Sequence, residues 1–223
     1  MLITLEGGEG AGKTTQILHL AEWFQRRGTN CLLTREPGGT PLGKSIRALL
    51  LNPENQGMAP ETELMLYMAD RAEHLHHVVS PALAAGRTVL CDRFFDATLV
   101  YQGYARGLPT ERLLQLHQLV LGGLRPQLTL LLDLPAEAGL ARARGPLAKG
   151  SRAAAESRFE REAIDFHRRV REGYLSLARR EPDRFRVIDA ARDEASVQAD
   201  IRSAVDAFIN RPGAARRPSA PRP

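Results

Sequence analysis

The chain begins with a short apolar run, Leu2-Ile3-Thr4-Leu5, and passes directly into Gly7-Gly8-Glu9-Gly10-Ala11-Gly12-Lys13-Thr14-Thr15. From Gly7 to Gly12-Lys13-Thr14 the spacing is G-x-x-x-x-G-K-[ST], and an amphipathic stretch follows, so the motif sits where a strand hands over to a helix. A Gly-rich turn lets successive backbone N–H groups point inward at an anion, and the helix behind it adds the positive end of its dipole. A plain β–α turn has no use for Lys13 or Thr14. A phosphate loop uses both: the lysine reaches the terminal phosphates of a nucleotide and the threonine hydroxyl ligates Mg²⁺.

Downstream, apolar strand candidates alternate with helical patterns. The strands are Leu2 to Glu6, Asn30 to Arg35, Thr88 to Asp92, Leu128 to Leu134 and Phe185 to Ile188. Helical patterns fill the gaps, among them Lys13 to Arg27, Pro60 to Ala85, Phe94 to Tyr104 and Ala155 to Glu181. Alternation of this kind predicts an α/β fold with a five-stranded parallel sheet and helices on both faces, of the P-loop NTP hydrolase type. In such sheets ligands bind beyond the carboxyl ends of the strands. Segments 6–15, 35–40, 92–96 and 133–136 should therefore converge on one crevice.

A length of 223 residues and a hydrophobic content of 43% suffice for one core. Residues 1–210 read as a single domain, and 211–223 as a disordered Arg/Pro tail without apolar periodicity. The formal charge of +5 is concentrated there: without the tail's four arginines, residues 1–210 carry only +1. A nucleic-acid partner is therefore not expected. No apolar run is long enough for a membrane span and no signal-peptide pattern opens the chain, so a cytoplasmic location is expected. Cys31 and Cys91 should lie at opposite ends of neighbouring strands, too far apart for a disulfide.

Two strand ends carry polar residues. Asp92 is a candidate Walker-B-like carboxylate for hydrated Mg²⁺, and Arg93 beside it can fork two donors onto a phosphate. Asp133 is expected to cap the helix that follows it. His74, His76 and His77 would face different sides of a helix with no completing ligand, which predicts surface or capping roles rather than a metal site.

The order Glu6 to Thr15, then Thr34-Arg35-Glu36-Pro37-Gly38-Gly39-Thr40, then Asp92-Arg93-Phe94 and Tyr101-Gln102-Gly103, resembles bacterial thymidylate kinases over residues 2 to about 210. The resemblance implies phosphoryl transfer from ATP to dTMP with Mg²⁺, in a nucleoside monophosphate kinase fold that commonly forms homodimers. By the same likeness residues 7–15 bind ATP, Glu9 meets the deoxyribose 3′-hydroxyl and Glu36-Pro37 closes over the acceptor nucleotide. Arg47 and Arg93 hold the acceptor phosphate, Tyr67 stacks on the thymine where the family usually has Phe, and Arg71, Thr98 and Gln102 read the base edge. Tyr101 crowds the sugar 2′ position, while Thr14 and Asp92 are the metal-binding pair. Tyr67 and Arg71, spaced i, i+4, can share one helical face, although a ring at position 67 also suits a plain apolar stripe.

Residues 142–158 are basic and broken by Gly145, Pro146 and Gly150, the composition of a mobile lid over ATP. The loop has Gly10 where one subclass of the family carries an arginine, so the resemblance assigns the transition-state arginine to the lid: Arg144, with Arg158 as a second. Lys13, Arg93, Arg144 and Arg158 are thus the expected catalytic set. The attacking group would be a phosphate oxygen, largely dianionic at neutral pH, so no general base is needed; the work is alignment and charge neutralisation. A kinase for another nucleoside monophosphate is the nearest alternative. A GTPase switch lacks an Asn-Lys-x-Asp motif, and a nucleic-acid-stimulated ATPase lacks a basic aromatic groove.

Overall fold

The computed structural model describes residues 1–145 and 157–211. Most of the expected lid and all of the expected tail but Arg211 lie outside them. Five strands, β1 (Leu2–Glu6), β2 (Cys31–Arg35), β3 (Thr88–Asp92), β4 (Leu128–Asp133) and β5 (Phe185–Asp189), form one sheet in the order β2-β3-β1-β4-β5. Every neighbouring pair is parallel. Within the described residues the connecting helices are α1 (Lys13–Arg26), α2 (Pro41–Leu51), α3 (Pro60–His74), α4 (Ser80–Ala84), α5 (Phe95–Thr98), α6 (Thr110–Leu121), α7 (Ala136–Arg144), α8 (Ile164–Arg180) and α9 (Glu194–Ile209).

Successive side chains of a strand leave opposite faces, and β1 shows why its run is apolar throughout: both faces are covered. Ile3 and Leu5 pack with Ile17, Leu20 and Phe24 of α1 and Val197, Ile201 and Val205 of α9. Leu2, on the other face, joins Leu64 and Met68 of α3, Leu113 of α6 and Val170 and Tyr174 of α8. The sheet order reverses at β1, with β3 on one side and β4 on the other. That switch point places the Gly7–Gly12 loop between the ends of β3 and β4. The cysteines fall as expected, Cys31 opposite Thr88 and Cys91 opposite Thr34, and both are free.

Three helices differ from the sequence pattern. The stretch from Pro60 to Ala84 stays helical, but Leu75–Val79 widens into a π-helical turn in which the Ser80 N–H reaches the Leu75 carbonyl, five residues back. Pro81 gives a reason: within a continuous helix its ring clashes with the carbonyl four residues earlier and it supplies no N–H. The Phe94–Tyr104 helix is α5 followed by a π-helical segment, Leu99–Ala105. The helix expected from Ala155 begins only at Ile164, because Glu162 and Ala163 are extended after a 3₁₀ turn at Phe159–Arg161.

Candidate active site

At the carboxyl ends of the strands lies a cavity of about 530 Å³. Every residue expected at the site lines it except Gly7, Gly8, Arg144 and Arg158. Gly7 and Gly8 serve from beneath: the Lys13 ammonium donates to their carbonyls at 3.1 and 2.7 Å and so stays inside the loop. Gly7, Gly10 and Gly12 all have positive φ, at 143°, 69° and 85°, which only glycine adopts without strain. Gly10 is also pressed against α7: a Cβ there would lie 2.0 Å from the Gly139 carbonyl oxygen. Thr14 Oγ1 donates to Asp92 Oδ2 at 3.1 Å, bringing the two expected metal-binding groups together.

Arg93 follows Asp92 and is, among the described residues, the non-glycine residue with positive φ, at 67°. Such a backbone costs about 1 kcal/mol or more and persists when its surroundings over-determine it. Here they do: Nη1 donates to the Gly7 carbonyl at 3.0 Å and Nη2 to Glu9 Oε1 at 2.8 Å. The Tyr101 hydroxyl donates to the same Glu9 oxygen at 3.0 Å. Behind them Glu6, fully buried, accepts from the Tyr174 hydroxyl at 2.7 Å and the Phe94 N–H at 2.8 Å. Burial, reinforced by nearby Asp96, pushes the Glu6 carboxyl up to about 7, against the opposing pull of Arg93 and these two donors.

The opposite wall is built on α3. Arg71 is buried and spends four N–H groups on the protein: Nε to Glu36 Oε2 at 2.7 Å, Nη1 to Thr98 Oγ1 at 2.8 Å and to His117 Nε2 at 3.0 Å, and Nη2 to the Phe94 carbonyl at 3.1 Å. His117 is held neutral, pushed down to about 3 by burial and by the Arg71 charge, and so can accept. Glu36 also accepts from His74 Nδ1 at 2.9 Å, and His74 Nε2 meets Thr34 Oγ1 at 2.6 Å. His74 is therefore fully buried beneath the Glu36–Pro37 loop, which corrects the expected surface or capping role; His76 and His77 are exposed as expected. Arg47 reaches the Pro37 carbonyl at 3.1 Å, and the Glu36–Pro37 peptide is cis. Asp70 clamps the same loop by accepting from the Gly38 N–H at 2.9 Å.

The two arginines expected from the lid do not line the cavity. Arg158 is completely buried, its Nη2 on Glu63 Oε2 and its Nε on the Leu50 carbonyl, so the second catalytic arginine of the sequence reading is an internal ion-pair partner here. A charge so deep is tolerable only with a paired carboxylate, and Glu63 supplies it. Arg144 does not line the cavity, and its Nη2 donates to the Glu160 carbonyl. Asp133 is not a helix cap either. Arg171 takes both its oxygens, at 2.7 and 2.8 Å, while α7 starts after Pro135 without a side-chain cap. Glu6, Glu63, His117 and Tyr174 escaped the sequence reading. An acid at the end of an apolar strand was the available signal for Glu6; the other three look like ordinary helix residues until α3, α6 and α8 are packed.

A phosphate loop at the switch point of a parallel sheet, sharing one cavity with an aromatic and arginine-bearing wall, defines a P-loop kinase of the nucleoside monophosphate type. The family model for thymidylate kinase matches residues 5–201. The chain belongs to the thymidylate kinase family. It is 55% identical over 214 residues to a thymidylate kinase of Desulfosudis oleivorans, covering 95% of this chain and all of that one. It is 52% identical over 213 residues to one from Desulfovibrio desulfuricans, covering 96% and 98%. The crystal structure of thymidylate kinase from Ehrlichia chaffeensis superposes with a TM-score of 0.73 at 34% identity, covering 92% of this chain and 98% of the other.

Proposed function

We infer that the protein transfers the γ-phosphoryl group of ATP to dTMP, giving ADP and dTDP. The observation carrying this reading is that the Lys13 loop and the Tyr67–Arg71–Gln102 wall line one cavity, so two nucleotides can meet end to end within it. The loop N–H groups and Lys13 take the donor phosphates, which requires Lys13 to leave the Gly7 and Gly8 carbonyls. Arg47 and Arg93 take the acceptor phosphate, and Glu9, now bonded to Arg93 and Tyr101, turns to the sugar 3′-hydroxyl. Tyr67 stacks on the base, Arg71, Thr98 and Gln102 read its edge, and Tyr101 crowds the 2′ position.

Thr14 and Asp92 would hold Mg²⁺. A hydroxyl and one carboxylate fit an ion that keeps several waters and takes its other ligands from substrate phosphates, and a protein cage of three or more His, Cys or acidic residues is absent among the described residues. Bound there, the ion would neutralise charge between the β- and γ-phosphates. Arg144 is the arginine we assign to the transferring group. It sits at the end of α7, one turn past Leu140 and beside the cavity-lining Ala143.

The reading includes a homodimer and a cytoplasmic location, both supported by the family likeness. Leu42 and Leu49 of α2 and Met65 of α3 stand about half exposed, at 53%, 51% and 50%, apolar area that a second copy would cover. No described helix is long and apolar enough to cross a membrane. A coupled assay of ADP release with dTMP, dUMP, dGMP and CMP tests the activity. Preference for dTMP of at least about tenfold in kcat/KM is expected, and faster turnover of CMP or dGMP than of dTMP would refute it. Folded Lys13→Ala protein should show no measurable transfer.

A further inference from the structure

Glu63 is a carboxylate with 1% exposure that does not line the cavity. It lies on α3, four residues before Tyr67 and eight before Arg71, and so stands on the face of the helix that carries both. Three residues from distant parts of the chain converge on it. Gln102 Nε2 donates to Oε1 at 2.8 Å; Arg106 donates to both oxygens at 3.3 Å; Arg158 Nη2 donates to Oε2. Burial alone would raise this carboxyl, but Arg158 and Arg106, with the hydrogen bonds, hold it below its ordinary range. It is therefore an ionised, acceptor-only group, and this decides how Gln102 must sit.

A side-chain amide has two distinguishable ends, and either can face a ligand unless something fixes it. Facing a carboxylate that can only accept, the nitrogen end of Gln102 is committed inward. Gln102 lines the cavity, and its Oε1 has no protein partner among the described residues. Arg71, which lines the same cavity, has one Nη2 N–H left after its four protein bonds. Of these two residues, the cavity is thus offered one donor, from Arg71, and one acceptor, from Gln102. A keto-pyrimidine presents the complement, a carbonyl oxygen beside a ring N–H, whereas a 4-aminopyrimidine presents a donor amine beside a bare ring nitrogen.

We propose that Glu63 is a positioning residue for base selection: it locks the Gln102 amide with its oxygen toward the acceptor base, so that the site takes bases bearing a ring N–H and rejects their amino counterparts. The inference rests on the dTMP reading above and adds the residue that enforces it. Glu63→Gln keeps the shape and removes the enforcement, because an amide in place of the carboxylate can donate to Gln102 as well as accept from it, and the Gln102 amide can then turn over.

The experiment compares kcat/KM for dTMP and for 5-methyl-dCMP, which differ only at the 4-position and the ring-nitrogen proton. In Glu63→Gln the ratio should fall at least about tenfold, the worth of one well-placed hydrogen bond, through both a weaker dTMP and a better 5-methyl-dCMP reaction. In Glu63→Gln/Gln102→Glu the charge is moved to the cavity side, an acceptor-only group again faces the base, and most of the ratio should return. A residue that merely braced Arg106 and Arg158 would instead lower both substrates together. A ratio unchanged within about twofold in Glu63→Gln overturns the proposal. The second readout needs no variant: in wild-type protein the Gln102 Nε2 protons should remain shifted and protected from exchange when dTMP is added, and rapid exchange of those protons on dTMP binding overturns it. A wild-type enzyme with no preference for dTMP defeats the dTMP reading itself, whereas a preference that survives Glu63→Gln defeats only the role of Glu63.

Discussion

Replacing Glu36 by glutamine removes one negative charge from a buried place where it has two partners. Glu36 is 3% exposed; Arg71, its partner in charge, is 1% exposed, and the two meet at 2.7 Å. Deleting one member of a buried pair costs about 3–5 kcal/mol, because the survivor is left desolvated and uncompensated. Glutamine retains an oxygen that can accept from Arg71, so the loss should fall near the lower end, about 3 kcal/mol. For a chain of 223 residues that corresponds to a melting-temperature drop on the order of 10 °C. The pH dependence has a definite sign. Burial opposes ionisation of Glu36, but Arg71 and His74 outweigh it and hold the carboxyl below its ordinary value of 4.5. A depressed carboxylate contributes its stability above the unfolded pKa and loses it as pH falls through the folded one. The gap between wild type and Glu36→Gln should therefore be constant from about pH 5 to 8 and close only below about pH 4.5. Thermal unfolding followed by circular dichroism across that range, with KM for dTMP measured alongside, tests both parts. Since Arg71 also lines the cavity and is the residue proposed to read the base, KM for dTMP should rise with little change in KM for ATP. A drop under about 2 °C, or a gap that widens toward acid, would refute the argument.

Three further outcomes follow from the geometry. Tyr67→Phe should leave dTMP binding within about twofold, and Tyr67→Ala should weaken it by roughly 1–3 kcal/mol, because stacking needs the ring and not the hydroxyl; titration calorimetry decides it, and equal losses in both variants would contradict stacking. Arg158→Met should lower the melting temperature by several degrees, leaving Glu63 short of a partner, an effect that a purely catalytic lid arginine would not produce. Glu6, raised to about 7, binds more protons folded than unfolded between about pH 4.5 and 7, so stability should fall as pH rises through that window and level off above it. Glu6→Gln should flatten that slope in urea unfolding measured at pH 5 and pH 8, and an unchanged slope would mean that Glu6 is ionised throughout.

The loop, the sheet and most of the cavity wall were legible because each leaves a local mark. The phosphate loop is contiguous, parallel strands buried on both faces read as apolar runs, and Asp92-Arg93 interrupts such a run at its end. What escaped is non-local. His74 reads as one of three clustered histidines, and only the packing of β2 against α3 puts it between Thr34 and Glu36. Arg158 belongs by composition to a basic, Gly-broken segment, yet its side chain is claimed by Glu63, 95 residues earlier. Asp133 ends a strand shortly before a helix, the ordinary setting of a cap, and Arg171 on a later helix takes both its oxygens instead. The π-helical segments were illegible for a different cause: periodicity over five or seven residues does not separate a 3.6-residue turn from a wider one.

The contact between Gly10 and Gly139 bears on how such an enzyme can change over time. The loop and α7 meet backbone to backbone here: a Cβ on Gly10 would sit 2.0 Å from the Gly139 oxygen, and one on Gly139 would sit 2.3 Å from the Glu9 oxygen. An arginine at position 10 would therefore collide with α7 before its guanidinium reached any phosphate. Placing an arginine in the loop is therefore not a single-substitution step in this structure. The helix would have to withdraw first, and a withdrawn α7 without the new arginine leaves the loop unsupported on that side. The glycine pair thus excludes any side chain at position 10 for as long as α7 stays where it is.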